Sequence, residues 1–113
     1  MDEDENMTKV NVGKLAEFAP GTMKGVSINE RMVLVVNLEG KLYAMQGICS
    51  HMGGHLWEGK LMGNVVKCLR HGSEFDVRTG KNLKGPWIPF GKAHDLPAYP
   101  VSVEADGVFV EMP

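Results

Sequence analysis

Cys49-Ser50-His51 and Cys68-Leu69-Arg70-His71 each set a histidine within three positions of a cysteine, and sixteen residues separate His51 from Cys68. The chain has two cysteines and four histidines, so these two short segments hold every thiol and half of the imidazoles. A thiolate is a soft ligand and an imidazole a borderline one, and two of each converging from separate loops make a transition-metal site. Tetrahedral Cys2His2 zinc is the first alternative. Zinc fingers of that type usually take both cysteines from one segment and both histidines from the other, whereas here each segment supplies one of each. That alternation suits a pair of metal ions, one held by thiolates and the other by imidazoles, with each loop spanning both. A disulfide between Cys49 and Cys68 is the remaining option, and a reducing intracellular setting argues against it.

The elements that must position these loops are strands. Met7 to Val12 alternates polar and apolar residues before Gly13, and Met23 to Ile28 resumes an extended pattern after the turn Pro20-Gly21. Met32 to Leu38 is a β-branched run ending at Glu39-Gly40, and Lys41 to Met45 alternates again, so residues 32–46 read as a hairpin. A glycine-rich stretch, Gly47 to Gly59, carries the first Cys/His pair. Asn64 to Leu69 is a short strand that delivers Cys68 at its end, and Phe75-Asp76-Val77 precedes the turn Arg78-Thr79-Gly80. Four of the six prolines fall between Lys84 and Pro100, so that stretch is expected to be loop. Tyr99 to Met112 reads as a closing hairpin about Ala105-Asp106-Gly107, and the single helix candidate is Val12 to Phe18. The expected class is all-β, a barrel or sandwich.

At 113 residues the chain is one domain, and no apolar run approaches a membrane span; the longest, Met32 to Val36, is strand-sized. The start, Met1-Asp2-Glu3-Asp4-Glu5-Asn6, is acidic where a secretory signal would be basic, so residues 1–6 are expected to be a disordered tail and the location cytoplasmic. Without those four carboxylates the charge of −2 becomes +2, too small a surplus to argue for nucleic acid.

Cys49 to Gly54 and Cys68 to Asp76 resemble the two cluster-binding loops of Rieske-type [2Fe–2S] proteins. Val77 to Gly80 followed by Lys84-Gly85-Pro86 is similar to the third, proline-containing loop of that family. The resemblance implies an antiparallel β-sandwich or barrel with a cluster-binding loop subdomain, residues 47–90, at one end of a domain spanning 7–113. It implies one [2Fe–2S] cluster, with Cys49 and Cys68 on the buried iron, and His51 and His71 on the outer iron with their free edges facing solvent or a partner. Gly53, Gly54, Gly72 and Ser73 would surround the cluster, and Pro86 would sit in the covering loop.

Two departures separate the chain from the respiratory type of Rieske protein, which carries a disulfide between the loops and a tyrosine where Phe75 stands. The sequence looks more like a soluble Rieske ferredoxin, a one-electron carrier that does no substrate chemistry itself. Its donor would be a flavin-dependent reductase and its acceptor a Rieske-type terminal oxygenase. The small subunit of an assimilatory nitrite reductase and a structural zinc module are the rival readings.

The other candidates have plainer readings. His55 is expected on a surface loop and His94 to be structural; Trp57 and Trp87 are expected to pack against loops or core, with a cluster shield or docking patch as the alternative. Met52 beside His51 is a candidate for an exposed docking face, and Asp76 and Arg78 for a pair across a turn.

Overall fold

The computed structural model describes residues 7–89 and 91–113, so the acidic segment 1–6 lies outside the described residues. Eleven strands run in chain order: β1 (Thr8–Lys14), β2 (Met23–Ile28), β3 (Arg31–Leu38), β4 (Lys41–Gln46), β5 (Lys60–Met62), β6 (Val65–Lys67), β7 (Glu74–Asp76), β8 (Asn82–Lys84), β9 (Ala98–Tyr99), β10 (Val101–Glu104) and β11 (Gly107–Met112). They form three antiparallel sheets, ordered β1-β11-β10, β2-β3-β4-β9 and β5-β6-β7-β8.

The β-branched run on β3 is explained by burial on both faces. Val33 and Val35 join Ile28, Ala44, Val108 and Val110 in one core; Leu34 and Val36 join Met45, Val66, Phe75 and Val77 in the other. Successive side chains of a strand point to opposite sides, so a strand lying between two cores has no polar face. The turns into and out of β3, at Asn29-Glu30 and at Glu39-Gly40, hold positive φ at both central residues, as tight hairpins of this twist require.

Two expectations change. The proposed helix over Val12 to Phe18 is instead the end of β1, which pairs with β11 through Lys14 across a bulge at Asn11/Gly13; only Leu15–Glu17 turns, as a 3₁₀ segment. Pairing to β11 satisfies these backbone groups better than one isolated helical turn would. The glycine-rich stretch also contains structure, a 3₁₀ turn at Leu56–Glu58 that buries Leu56, and it leads into β5.

Everything between β4 and β9 is one excursion. Met45 pairs with Ala98, and the Gln46 amide donates to the Pro97 carbonyl at 2.9 Å, so the chain leaves and re-enters the middle sheet at neighbouring points. That excursion holds β5 to β8 and all the residues singled out for chemistry.

Candidate metal centre

The two Cys/His segments fold as the same loop twice. The Cys49 amide donates to the Gly54 carbonyl (2.8 Å) and the Gly53 amide to the Cys49 carbonyl (3.2 Å). In the second loop the Cys68 amide donates to the Ser73 carbonyl and the Gly72 amide to the Cys68 carbonyl, both at 2.9 Å. The fourth residue after each cysteine must turn left-handed to close the loop, and Gly53 (φ +72°) and Gly72 (φ +82°) do so without a Cβ penalty. The shared C-x3-G offset was available in the sequence as a signal of matched loops; alignment on the histidines, which are offset by one position, hides it.

This doubling brings like side chains together. Cys49 and Cys68 are buried in the core that contains Phe75 and Leu56, and the imidazoles of His51 and His71 lie edge to face with centroids 5.0 Å apart. Burial, chiefly, pushes the Cys49 thiol up to about 11, and the nearby Cys68 adds to the rise. The His51 amide, as a donor, and the nearby Ser73 hydroxyl act in the opposite direction and favour a thiolate. Gly54 makes the loops fit: a Cβ there would come within 2.5 Å of Cys68 Sγ. Arg70 ties the loops from outside, its Nη1 donating to the Met52 carbonyl at 3.1 Å.

The third segment closes over this pair. The Trp87 amide donates to the His71 carbonyl (2.8 Å), and its ring packs where any side chain at Gly72 would have to go. Ser50 Oγ donates to the His94 carbonyl (2.7 Å) and accepts from the His94 amide (2.9 Å), so His94 works through its backbone. Pro86 is half-buried just before Trp87. The segment also corrects the expectation that both histidines present an open edge. His71 is half-buried, but His51 is buried, with Nε2 so close to Gly91 that a Cβ there would stand 2.5 Å away. The cause is a long-range return of the chain over the first loop, which local spacing does not encode.

The remaining candidates separate cleanly. His55 is exposed, stacks on Trp57 at 4.4 Å and faces Glu58. Trp57 packs on the core while Trp87 is 62% exposed, and Met52 is exposed as well. Asp76 and Arg78 pair at 2.8 Å across their turn.

A tight group of buried polar atoms tests whether a metal cluster suits this place. Among the described residues His51 Nε2, His71 Nδ1 and Ser73 Oγ are buried without a hydrogen-bond partner, beside two buried free cysteines; the fourth such atom, Ser102 Oγ, lies on β10. Unsatisfied groups of this kind cost about 1–3 kcal/mol each, so their gathering at one point calls for a bound partner. Among the described residues no three of His, Cys, Asp and Glu converge on a single ion position. Paired thiols and paired imidazoles match two adjacent irons instead, as in clusters whose second iron takes histidines.

Fold and site together define a small β-domain built around an iron–sulfur centre. Residues 8–100 match the Rieske [2Fe-2S] domain, and the chain belongs to that family and holds one [2Fe–2S] cluster. It is 30% identical over 103 residues, 91% of this chain and 94% of the relative, to the ferredoxin component of the naphthalene 1,2-dioxygenase/salicylate 5-hydroxylase systems of a Ralstonia species. It is 34% identical over 107 residues, 94% of each chain, to the ferredoxin component of biphenyl 2,3-dioxygenase from Rhodococcus jostii. The ferredoxin of carbazole 1,9a-dioxygenase from Nocardioides aromaticivorans superposes with a TM-score of 0.81 at 28% identity, covering 91% of this chain and 96% of that one. A chain in a complex of reduced oxygenase and oxidized ferredoxin of carbazole 1,9a-dioxygenase superposes with a TM-score of 0.79 at 28% identity, covering 90% and 91%.

Proposed function

We propose that this protein is a soluble, cytoplasmic one-electron carrier, taking electrons from a flavin-dependent reductase and delivering them to a Rieske-type terminal oxygenase. Cys49 and Cys68 bind the inner iron as thiolates, and His51 and His71 bind the outer iron through ring nitrogens. Residues 7–113 act as one domain, with 47–90 as its cluster-binding region.

The observation that carries this reading is the twin-loop arrangement, which places two free thiols in the core and two imidazoles in contact. The relatives support the partners: those named above are ferredoxin components of dioxygenase systems, and one solved assembly pairs such a ferredoxin with its oxygenase. Their systems act on different aromatic compounds, so the aromatic substrate belongs to the oxygenase and not to the carrier.

When bound, the cluster supplies a one-electron redox couple. The chain's own residues do the rest. The core around Phe75 and Leu56 keeps water from the thiolates, and the Ser73 hydroxyl and His51 amide stand close to Cys49. Low water content and fixed dipoles limit reorganisation when charge changes. Gly54 lets the loops approach, and Trp87 and His94 fasten the third segment across them. Among the described residues no helix is long and apolar enough to cross a membrane.

The deciding experiment is metal and sulfide analysis of protein purified from iron-replete cells, with EPR of the dithionite-reduced form. Two irons, two acid-labile sulfides and a low-average-g rhombic signal are expected. Cys49→Ser and Cys68→Ser should give colourless protein. Stoichiometric zinc in a folded, colourless wild-type preparation would overturn the ligand assignment.

A further inference from the structure

The surface around the cluster-binding loops is charged against the rest of the molecule. Residues 47–95 carry seven lysines and arginines against four carboxylates. Residues 7–46 and 96–113 carry five against six, and residues 2–5 add four more carboxylates. The cluster half is thus positive by three while the whole chain is −2. Part of that positive charge is committed: Arg78 pairs with Asp76, and Lys84 lies 4.0 Å from Glu74. Among the described residues the cations nearer the loop tips form no ion pair, although Glu58 lines the same cleft as Arg70 and Leu69. Arg70 donates to the uncharged Met52 carbonyl and keeps its charge, and Lys67 lies 5.7 Å from the centroid of the Trp87 ring. Lys60 and Lys92 are exposed.

The same tips carry three exposed apolar side chains. Met52 (57% exposed), Leu69 (59%) and Trp87 (62%) are the most exposed large hydrophobic side chains among the described residues. They are linked through Arg70, His71 and Gly72 by the contacts already described. Exposed Trp and Met with a cationic fringe are the makings of a transient docking face, the aromatic as anchor and the charges as steering.

Resting on the carrier reading, we infer that the cluster end is an electropositive docking face and that the protein surface received there is acidic around an apolar centre. Screening makes the local charge the one a partner meets: the Debye length is about 8 Å at physiological ionic strength, so carboxylates on the far sheet act weakly at the tips. The partner's carboxylates would meet Arg70, Lys67 and Lys92, and its apolar patch would cover Trp87 and Leu69. An acidic patch on either redox partner would bring it to this one face.

The test reads the sign of the field at the cluster end. Reduced holoprotein is mixed in a stopped-flow instrument with ferricyanide, an anion, or with tris(phenanthroline)cobalt(III), a cation, from low to high sodium chloride. In each case one electron leaves the cluster and reduces one metal complex. The ferricyanide rate should fall several-fold with salt and the cobalt rate should rise. Lys60→Glu combined with Lys92→Glu should flatten or reverse both trends, while Lys41→Glu on β4 should leave them nearly unchanged. Trends that follow the net charge of −2, or equal effects of Lys41→Glu and the double variant, would overturn the docking inference alone. Failure of a cluster-loaded protein to exchange electrons with either complex would overturn the carrier reading and this inference with it.

Discussion

Single atoms near the sulfurs set the electron affinity of the centre. Ser73 Oγ is buried without a nitrogen or oxygen partner and influences Cys49, whereas the fully buried Phe75 offers no donor at all. Hydrogen bonds to cluster sulfurs favour the more electron-rich reduced state, so a site short of one donor should sit low in the family range of about −150 to +300 mV, below about 0 mV. Ser73→Ala should lower the potential further, and Phe75→Tyr should raise it if the phenol reaches a sulfur; protein-film voltammetry reads both. A wild-type value well above about +100 mV would defeat the donor argument. Asp76 shows the stabilising use of charge. The Arg78 side chain, first, and then its amide hold the Asp76 carboxyl below the usual carboxylate range, against the opposing effect of burial. A depressed folded-state pKa contributes stability above the unfolded value of about 3.9 and loses it as pH falls through the folded value. Asp76→Asn should therefore cost about 1–3 kcal/mol, a penalty unchanged from pH 8 to pH 5 in urea unfolding; one that fades by pH 5 would contradict it. The residues that converge at the centre were legible because thiols and imidazoles at short spacing are scarce. The burial of His51 was not, since it depends on Gly91 returning from forty residues downstream.

At the scale of elements, each strand that announces itself by alternation or a β-branched run was legible, from β2 through the β3–β4 hairpin to β11. The short strand β5 was not. Lys60-Leu61-Met62 has no pattern of its own and becomes a strand because Val65–Lys67 pairs with it across Gly63-Asn64. Likewise Val12 to Lys14 extends because β11 lies beside it, a tertiary choice overriding a weak local one. The loops between strands carry tighter demands. Gly72 must hold φ +82° and leave room for the Trp87 ring, so Gly72→Ala should impose about 1–3 kcal/mol of backbone strain plus a collision. Adding Trp87→Ala should relieve the collision and leave the strain. Thermal unfolding of both variants, with iron content alongside, separates the two costs; full recovery in the double variant would show that the backbone accepts alanine.

For the molecule as a whole, the two cores share β3 but not their dependence on the two Cys/His loops. The core under Val108 and Val110 contains no cysteine, while the other includes both. Removing the metal should speed hydrogen exchange through Cys49–Gly54, Cys68–Ser73 and β6–β7 while β1, β11 and the β2–β3 pairing stay protected. Uniform loss of protection would mean the cores melt as one. The adjacency of Gln46 and Pro97 has a consequence for the ancestry and the engineering of this chain. Topologically, the segment between them is a cassette, and a short turn could splice its neighbours together without moving any other strand. Thermodynamically it is no free rider. Excising it would bare Leu34, Val36 and Met45 on the middle sheet, and the stump would adhere to its own kind until those three were made polar. Conversely, a foreign sheet with two neighbouring antiparallel strands and an equivalent apolar face has the socket such a cassette requires.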